Sequence, residues 1–184
     1  GTTVLLNNSN SNVQVLGTTT LGGTSPIALN VNANTWRLNG AITSSAPIYK
    51  WGDGQIRLDA SNTTMTGPVT LSRGEIRSIG NLTNMFGTGD YTLNSGTIRM
   101  SRNGGGATHF NAVGQDITVA GAVTFVADRA GGSVGANMTV GGGVGSTFKS
   151  INGAQVRFVH DQFGEQIILA NPVTVRDNAT FFND

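Results

Sequence analysis

The sequence predicts an all-β protein, a single-stranded parallel β-helix (β-solenoid) with turns of roughly 20 residues. Three observations carry that expectation. Short β-branched runs alternate with polar residues and are cut by Gly, Asn and Asp, while helical i, i+3, i+4, i+7 apolar spacing between caps is missing. An apolar residue followed by Arg recurs as Trp36-Arg37, Ile56-Arg57, Ile76-Arg77, Ile98-Arg99, Val156-Arg157 and Val175-Arg176, in steps of 20, 20, 22, 58 and 19. The step of 58 is close to three ordinary ones, so the register is expected to run through the middle of the chain without its Arg. Third, 27 of 184 residues are Gly and only 11% are charged, against about 25% in an ordinary globular domain.

In chain order, strands are expected at Thr3–Leu6, at Val13–Leu16 beyond an Asn/Ser corner, and near Leu21. Ile27–Val31 alternates cleanly, and Thr35–Ile42 follows as one run. The stretch from Lys50 to Arg77 reads as one complete coil. It has a glycine turn, strand Gln55–Leu58, a polar corner at Ser61-Asn62-Thr63-Thr64, strand Pro68–Leu71, and the opening strand again at Gly74–Arg77. Further strands are expected at Asp90–Leu93, Gly96–Met100, Gln115–Val119, Ala122–Val126, Met138–Val140, Gln155–Val159, Ile167–Leu169, Val173–Val175 and Thr180–Phe182. Asn103–Gly106 reads as a glycine-rich loop.

A coil this small cannot bury its own apolar face, but stacked coils about 4.8 Å apart can share a dry column. Trp36, Ile56, Ile76 and Ile98 are the expected column, extended backwards to Val15, 21 residues before Trp36. Phe125, Phe148, Phe158 and Phe181 are expected to form another, aromatic stack. The arginines, as strand neighbours, should point outward. Stacked arginines repel, so intervening acids such as Glu75 and Asp59 are expected between them. Gly52, Gly54, Gly67 and Gly74 are expected at corners, with corner Asn residues in the left-handed region or in side-chain ladders.

The focal coil resembles the autotransporter-associated β-strand repeat of bacterial passenger domains and giant surface proteins. The matching residues are Lys50, Gly52-Asp53-Gly54, Ile56 and Leu58, Ala60-Ser61-Asn62-Thr63, Thr66-Gly67, Val69-Thr70-Leu71 and Gly74-Glu75-Ile76. Met65 stands where that family often has an aromatic, and the match covers about 28 residues, with echoes at Gly96–Arg99 and Gly153–Arg157. The resemblance implies a right-handed coil exported to the bacterial surface, structural or adhesive in role and without catalytic residues. The translocating β-barrel of classical autotransporters is missing from this sequence.

Candidate chemistry is sparse. The ten acids are scattered, and one-turn stacking would bring only Asp161 near Asp177 or Asp184. A glycosidase needs two carboxylates converging on one face. His160-Asp161 with Glu165 is a weak metal pattern, and for His160 as for His109 a surface or strand-end position is the plainer expectation. Gly104–Gly106 and Gly141–Gly145 lack the Lys-Ser/Thr and helix of a phosphate loop. The arginine column could serve an anionic glycan or acidic lipid, but reads first as a solvated face. Asn62-Thr63-Thr64, Asn81-Leu82-Thr83 and Asn178-Ala179-Thr180 match glycosylation acceptors with little information in so Asn/Thr-rich a chain.

The expectation is therefore a non-enzymatic extracellular β-helix over residues 1–184, one continuous domain that is a segment of a longer chain or a fibre subunit, used as stalk, fibre or adhesin shaft. It is expected on the bacterial surface or secreted, with no catalytic, cofactor or metal residues. Partners are end-to-end copies or flanking β-helix turns, with surface glycans as a further candidate. A net charge of +1 gives no footprint for nucleic acid, and no apolar run is long enough for a transmembrane helix. The alternative is a glycan-binding or glycan-cleaving β-helix of the tailspike or polysaccharide-lyase kind. Aromatics and two close carboxylates in a groove would favour it.

Overall fold

A computed structural model describes residues 3–7, 11–80, 84, 86–102, 106–110, 115–129, 136–140, 147–160, 166–170 and 172–183. The described residues are all-β, with no helix, and every strand pairing is parallel. The chain is a β-solenoid with three sides.

The first described turn carries β1 (Thr3–Asn7), β2 (Val13–Val15) and β3 (Thr19–Thr20), one on each side. The next repeats them as β4 (Ile27–Val31), β5 (Thr35–Leu38) and β6 (Ile42–Thr43). Then come β7 (Ile48–Trp51) and β8 (Gln55–Leu58), followed by β9 (Val69–Leu71) and β10 (Glu75–Ile79). On the third side a single Ser44–Met65 bridge links the β4–β6 turn to the β7–β8 turn. β11 (Tyr91–Arg102) and β13 (Ile117–Arg129) each run through two sides, followed on the third by β12 (Gly106–Phe110) and β14 (Ala136–Val140). The coil closes with β15 (Phe148–Ser150), β16 (Gln155–His160), β17 (Gln166–Leu169), β18 (Val173–Val175) and β19 (Thr180–Asn183).

Side one stacks β1, β4, β7, β9, the start of β11, the start of β13, β15 and β18. Its register runs Leu5, Leu29, Lys50, Leu71, Leu93, Val119, Ser150, Val175. The steps of 24, 21, 21 and 22 residues agree with the expected repeat, whereas the following 26, 31 and 25 exceed it.

Side two stacks β2, β5, β8, β10, then the ends of β11 and β13, then β16 and β19. Trp36, Ile56, Ile76 and Ile98 lie in register as expected, and the three isoleucines are buried. The column begins at Val13, not Val15, because Val15 pairs with Leu38. Phe125 and Phe158 continue this same column instead of forming a separate one. Their rings stack 5.7 Å apart, Phe158 stacks on Phe181 at 6.1 Å, and Phe148 packs across from side one at 6.0 Å from Phe125.

The arginine register is shorter than expected. Arg37, Arg57, Arg77 and Arg99 pair directly, but Val126 and Val159 occupy the next two positions. Arg157 pairs with Thr124, two residues out of line, and Arg176 follows side one. The step of 58 thus spans two long turns, not three short ones.

The corner between sides one and two explains the glycines. The carbonyls of Asn34, Gly54 and Gly74 accept the amides of Gln55, Glu75 and Thr97 from the turn above. Asn34 sits there at φ 58° and Gly74 at φ 76°, left-handed values that Asn and Gly adopt most readily. At Gly74 a side chain would also collide with the Gly52 and Gly54 carbonyls. Asn62 is buried and does a strand's work on the third side: its Oδ1 accepts the Ile42 amide at 2.7 Å and its Nδ2 donates to the Ala60 carbonyl at 3.1 Å. That burial takes Asn62 away from any glycosylation role.

Candidate functional site

Three groups of chemistry-bearing side chains follow from the register. The first is the outer face of side two. Alternation sends Arg37, Arg57, Arg77 and Arg99 outward, where like charges one rung apart would destabilise the sheet. Acids interleave with them. Asp59 accepts Arg37 Nε at 2.6 Å and Arg57 Nε at 2.7 Å on its two oxygens. Glu75 accepts Arg99 Nε at 3.2 Å and Gln55 Nε2 at 2.7 Å. Asp128 accepts Arg77 Nη2 at 2.9 Å and the Ser101 hydroxyl at 2.9 Å, with Arg99 Nη1 at 3.5 Å. Asp59 and Glu75 are the acids the sequence pointed to. Asp128 was not singled out, because its role needs the Ser101–Asp128 register of two long strands.

The second is inside. Lys50 occupies an inward position of β7 between Leu29 and Leu71 and is fully buried. Its ammonium reaches the corner and donates to the carbonyls of Gly52 at 2.7 Å, Arg73 at 3.0 Å and Trp51 at 3.1 Å. Burial lowers its pKa to about 8, opposed by the charge of Asp53.

The third is the outer face of side one. With Lys50 inward, Tyr49 and Trp51 point outward from β7, 42% and 50% exposed. Together with Pro26, Ala28 and Ser72 they line a shallow cleft of about 400 Å³. Up the same outward column from Tyr49 stand Thr70, Thr92, Thr118 and then Lys149. Lys149 Nζ is held by Asp116 at 3.0 Å. The Lys149 bond, then those from Thr147, hold the Asp116 carboxyl below its ordinary value.

Among the described residues the remaining sequence candidates do not converge. Asp161, Glu165 and Asp184 lie outside the described residues, as do Asn81-Leu82-Thr83, Gly104-Gly105 and Gly141–Gly145. Gly106 belongs to strand β12, not to a loop. His160 ends β16 at the surface and lines a hollow with Phe158, Ile167, Leu169 and Asn183, none of them a metal ligand of the expected kind. His109 falls within β12, and Asp177 takes a left-handed corner at φ 58°. Among the described residues no three His, Cys, Asp or Glu side chains cluster as a metal site.

No protein-family model matches the chain, and no curated protein or solved structure matches it either. The class that the fold defines is the parallel β-solenoid.

Proposed function

We propose that the chain is a non-enzymatic structural segment, a shaft of an exported bacterial stalk, fibre or adhesin of the kind the autotransporter-associated repeat implies. One observation supports this most: the outer charges of side two hold turns together. Asp59 bridges Arg37 and Arg57, and Asp128 ties Arg77 and Arg99 to Ser101, so these carboxylates serve as inter-turn counterions. A hydrolytic pair would instead have to present two carboxylates to a substrate.

The partner of such a shaft is another β-solenoid turn. Electron microscopy of the purified chain, with a reducing-end assay on a polysaccharide panel, tests the reading. Rods or end-to-end fibres with an axial repeat near 4.8 Å and no sugar release are expected. Globular particles, or release abolished by Asp59→Asn or Asp128→Asn, would overturn it.

A further inference from the structure

The geometry points to a carbohydrate-binding strip on the outer face of side one, with a neutral, extended polysaccharide as its ligand. It adds a ligand to the shaft reading without resting on it, since cohesion of the coil uses the opposite set of side chains.

β7 reverses the usual pattern of a solenoid strand. Its one cationic residue points in and its two aromatics point out. Tyr49 and Trp51 are two residues apart on one strand, so their Cα atoms stand about 6.6 Å apart and their side chains leave the same face. Packing does not require them there: the inward positions of β7 are filled by Ile48 and Lys50. Beneath Tyr49 the register places Ala28, whose methyl leaves the floor of the cleft open.

The surroundings select the ligand. The side chains lining the cleft, those of Pro26, Ala28, Tyr49, Trp51 and Ser72, carry no charge at neutral pH. Leading away along the solenoid axis are the hydroxyls of Thr70, Thr92 and Thr118, one per rung at about 4.8 Å. That spacing is close to the length of one pyranose unit. A protein-docking core needs a contiguous apolar patch, whereas here two rings give way to a ladder of hydroxyls. A pyranose chain has the complementary surface, with C–H faces that lie on aromatic rings and hydroxyl edges that exchange hydrogen bonds. An anionic chain would need cations along the strip. Lys149 stands in line with it, but its ammonium is already engaged by Asp116.

The test is affinity electrophoresis of the whole chain through gels containing hydroxyethylcellulose, arabinoxylan or galactomannan as neutral polymers, and alginate or polygalacturonate as anionic ones. Retardation by at least one neutral polymer and by neither anionic one is expected. In Trp51→Ala the apparent Kd for that polymer should rise at least about tenfold, the loss of one stacked ring. The far-UV circular dichroism should be unchanged, because the ring lies outside the core. A second reading uses Trp36→Phe, which leaves Trp51 as the sole indole: its emission should shift to the blue on adding the retarding polymer. Absence of retardation by every neutral polymer, equal retardation of Trp51→Ala, retardation by the anionic polymers, or an unmoved Trp51 emission would each overturn the assignment.

Discussion

Replacing Lys50 with methionine removes an ammonium and little else. Methionine follows the same path between Leu29 and Leu71, beside an apolar cavity of about 20 Å³ into which its flexible end can relax. What is lost are the bonds to the Gly52, Arg73 and Trp51 carbonyls. A buried acceptor deprived of its donor costs about 1–3 kcal/mol, and the release of a buried charge offsets part of that. We expect Lys50→Met to be about 1–3 kcal/mol less stable at pH 7.

The pH dependence separates this from a simple packing defect. Burial lowers the folded pKa to about 8 from 10.5. Between these values the unfolded chain holds a proton that the folded chain has released, so wild-type stability rises with pH. The gain from pH 7 to 9.5 is about 2 kcal/mol, and Lys50→Met lacks it, so the gap between the two proteins should widen by that amount. Urea unfolding at pH 7, 8, 9 and 9.5 measures it. The window stops short of pH 10 because buried Tyr91, whose phenol donates to the Phe86 carbonyl, has its pKa driven upward and adds a destabilising slope above that. Parallel curves for the two proteins would refute the titration, and equal stability at every pH would refute the corner clamp itself.

Other substitutions test the stacking. Ile56, buried between Trp36 and Ile76, should lose about 3 kcal/mol as alanine, read by urea unfolding, and Ile56→Asp should give no cooperative transition because it buries an unpaired charge. Gly74→Ala should cost about 2 kcal/mol or more from its φ of 76° and the Gly52 and Gly54 carbonyls, while Gly22→Ala, in open space, stays within about 0.5 kcal/mol of wild type in the same assay. Asp128→Asn should lower stability by about 2 kcal/mol, since two arginines and Ser101 converge on a buried carboxylate. Asp53→Asn, in a largely exposed pair with Arg73, should change the thermal midpoint hardly at all.

The fold was legible because stacking repeats a pattern. Trp36, Ile56, Ile76 and Ile98 share one environment, so the chain uses similar residues there and the period shows. The period failed where turns lengthen: from Arg99 the register passes to Val126 and then Val159, and later arginines fall elsewhere by coincidence. The sequence places breaks at Asn94-Ser95 and Ala120-Gly121, yet β11 and β13 run through them, with Gly96 and Gly121 where rungs approach too closely for a side chain. Conversely, Thr35–Ile42 reads as one strand but splits at Asn39-Gly40, where Gly40 lies against the Gly17 backbone. β7 was missed altogether. Ile48-Tyr49-Lys50-Trp51 puts a charge where alternation wants an apolar residue, and only the glycine-corner carbonyls make that position tolerable. The candidate site went with it, because Tyr49 and Trp51 stand on the strand that this inversion hides.

The two outer faces divide the polar work between them, and that division has a consequence for mutants. On side two the charges are shared between rungs, so each substitution there acts on cohesion of the stack. On side one the outward residues around β7 are rings and hydroxyls, and their removal exposes no buried partner. Stability and glycan retention should therefore respond independently. Asp128→Asn is expected to lower the urea midpoint with neutral-polymer retardation intact while folded, and Trp51→Ala to do the reverse. If Asp128→Asn weakened retardation of the folded protein as strongly as Trp51→Ala does, the ligand would have to contact side two, and the strip on side one would be the wrong surface.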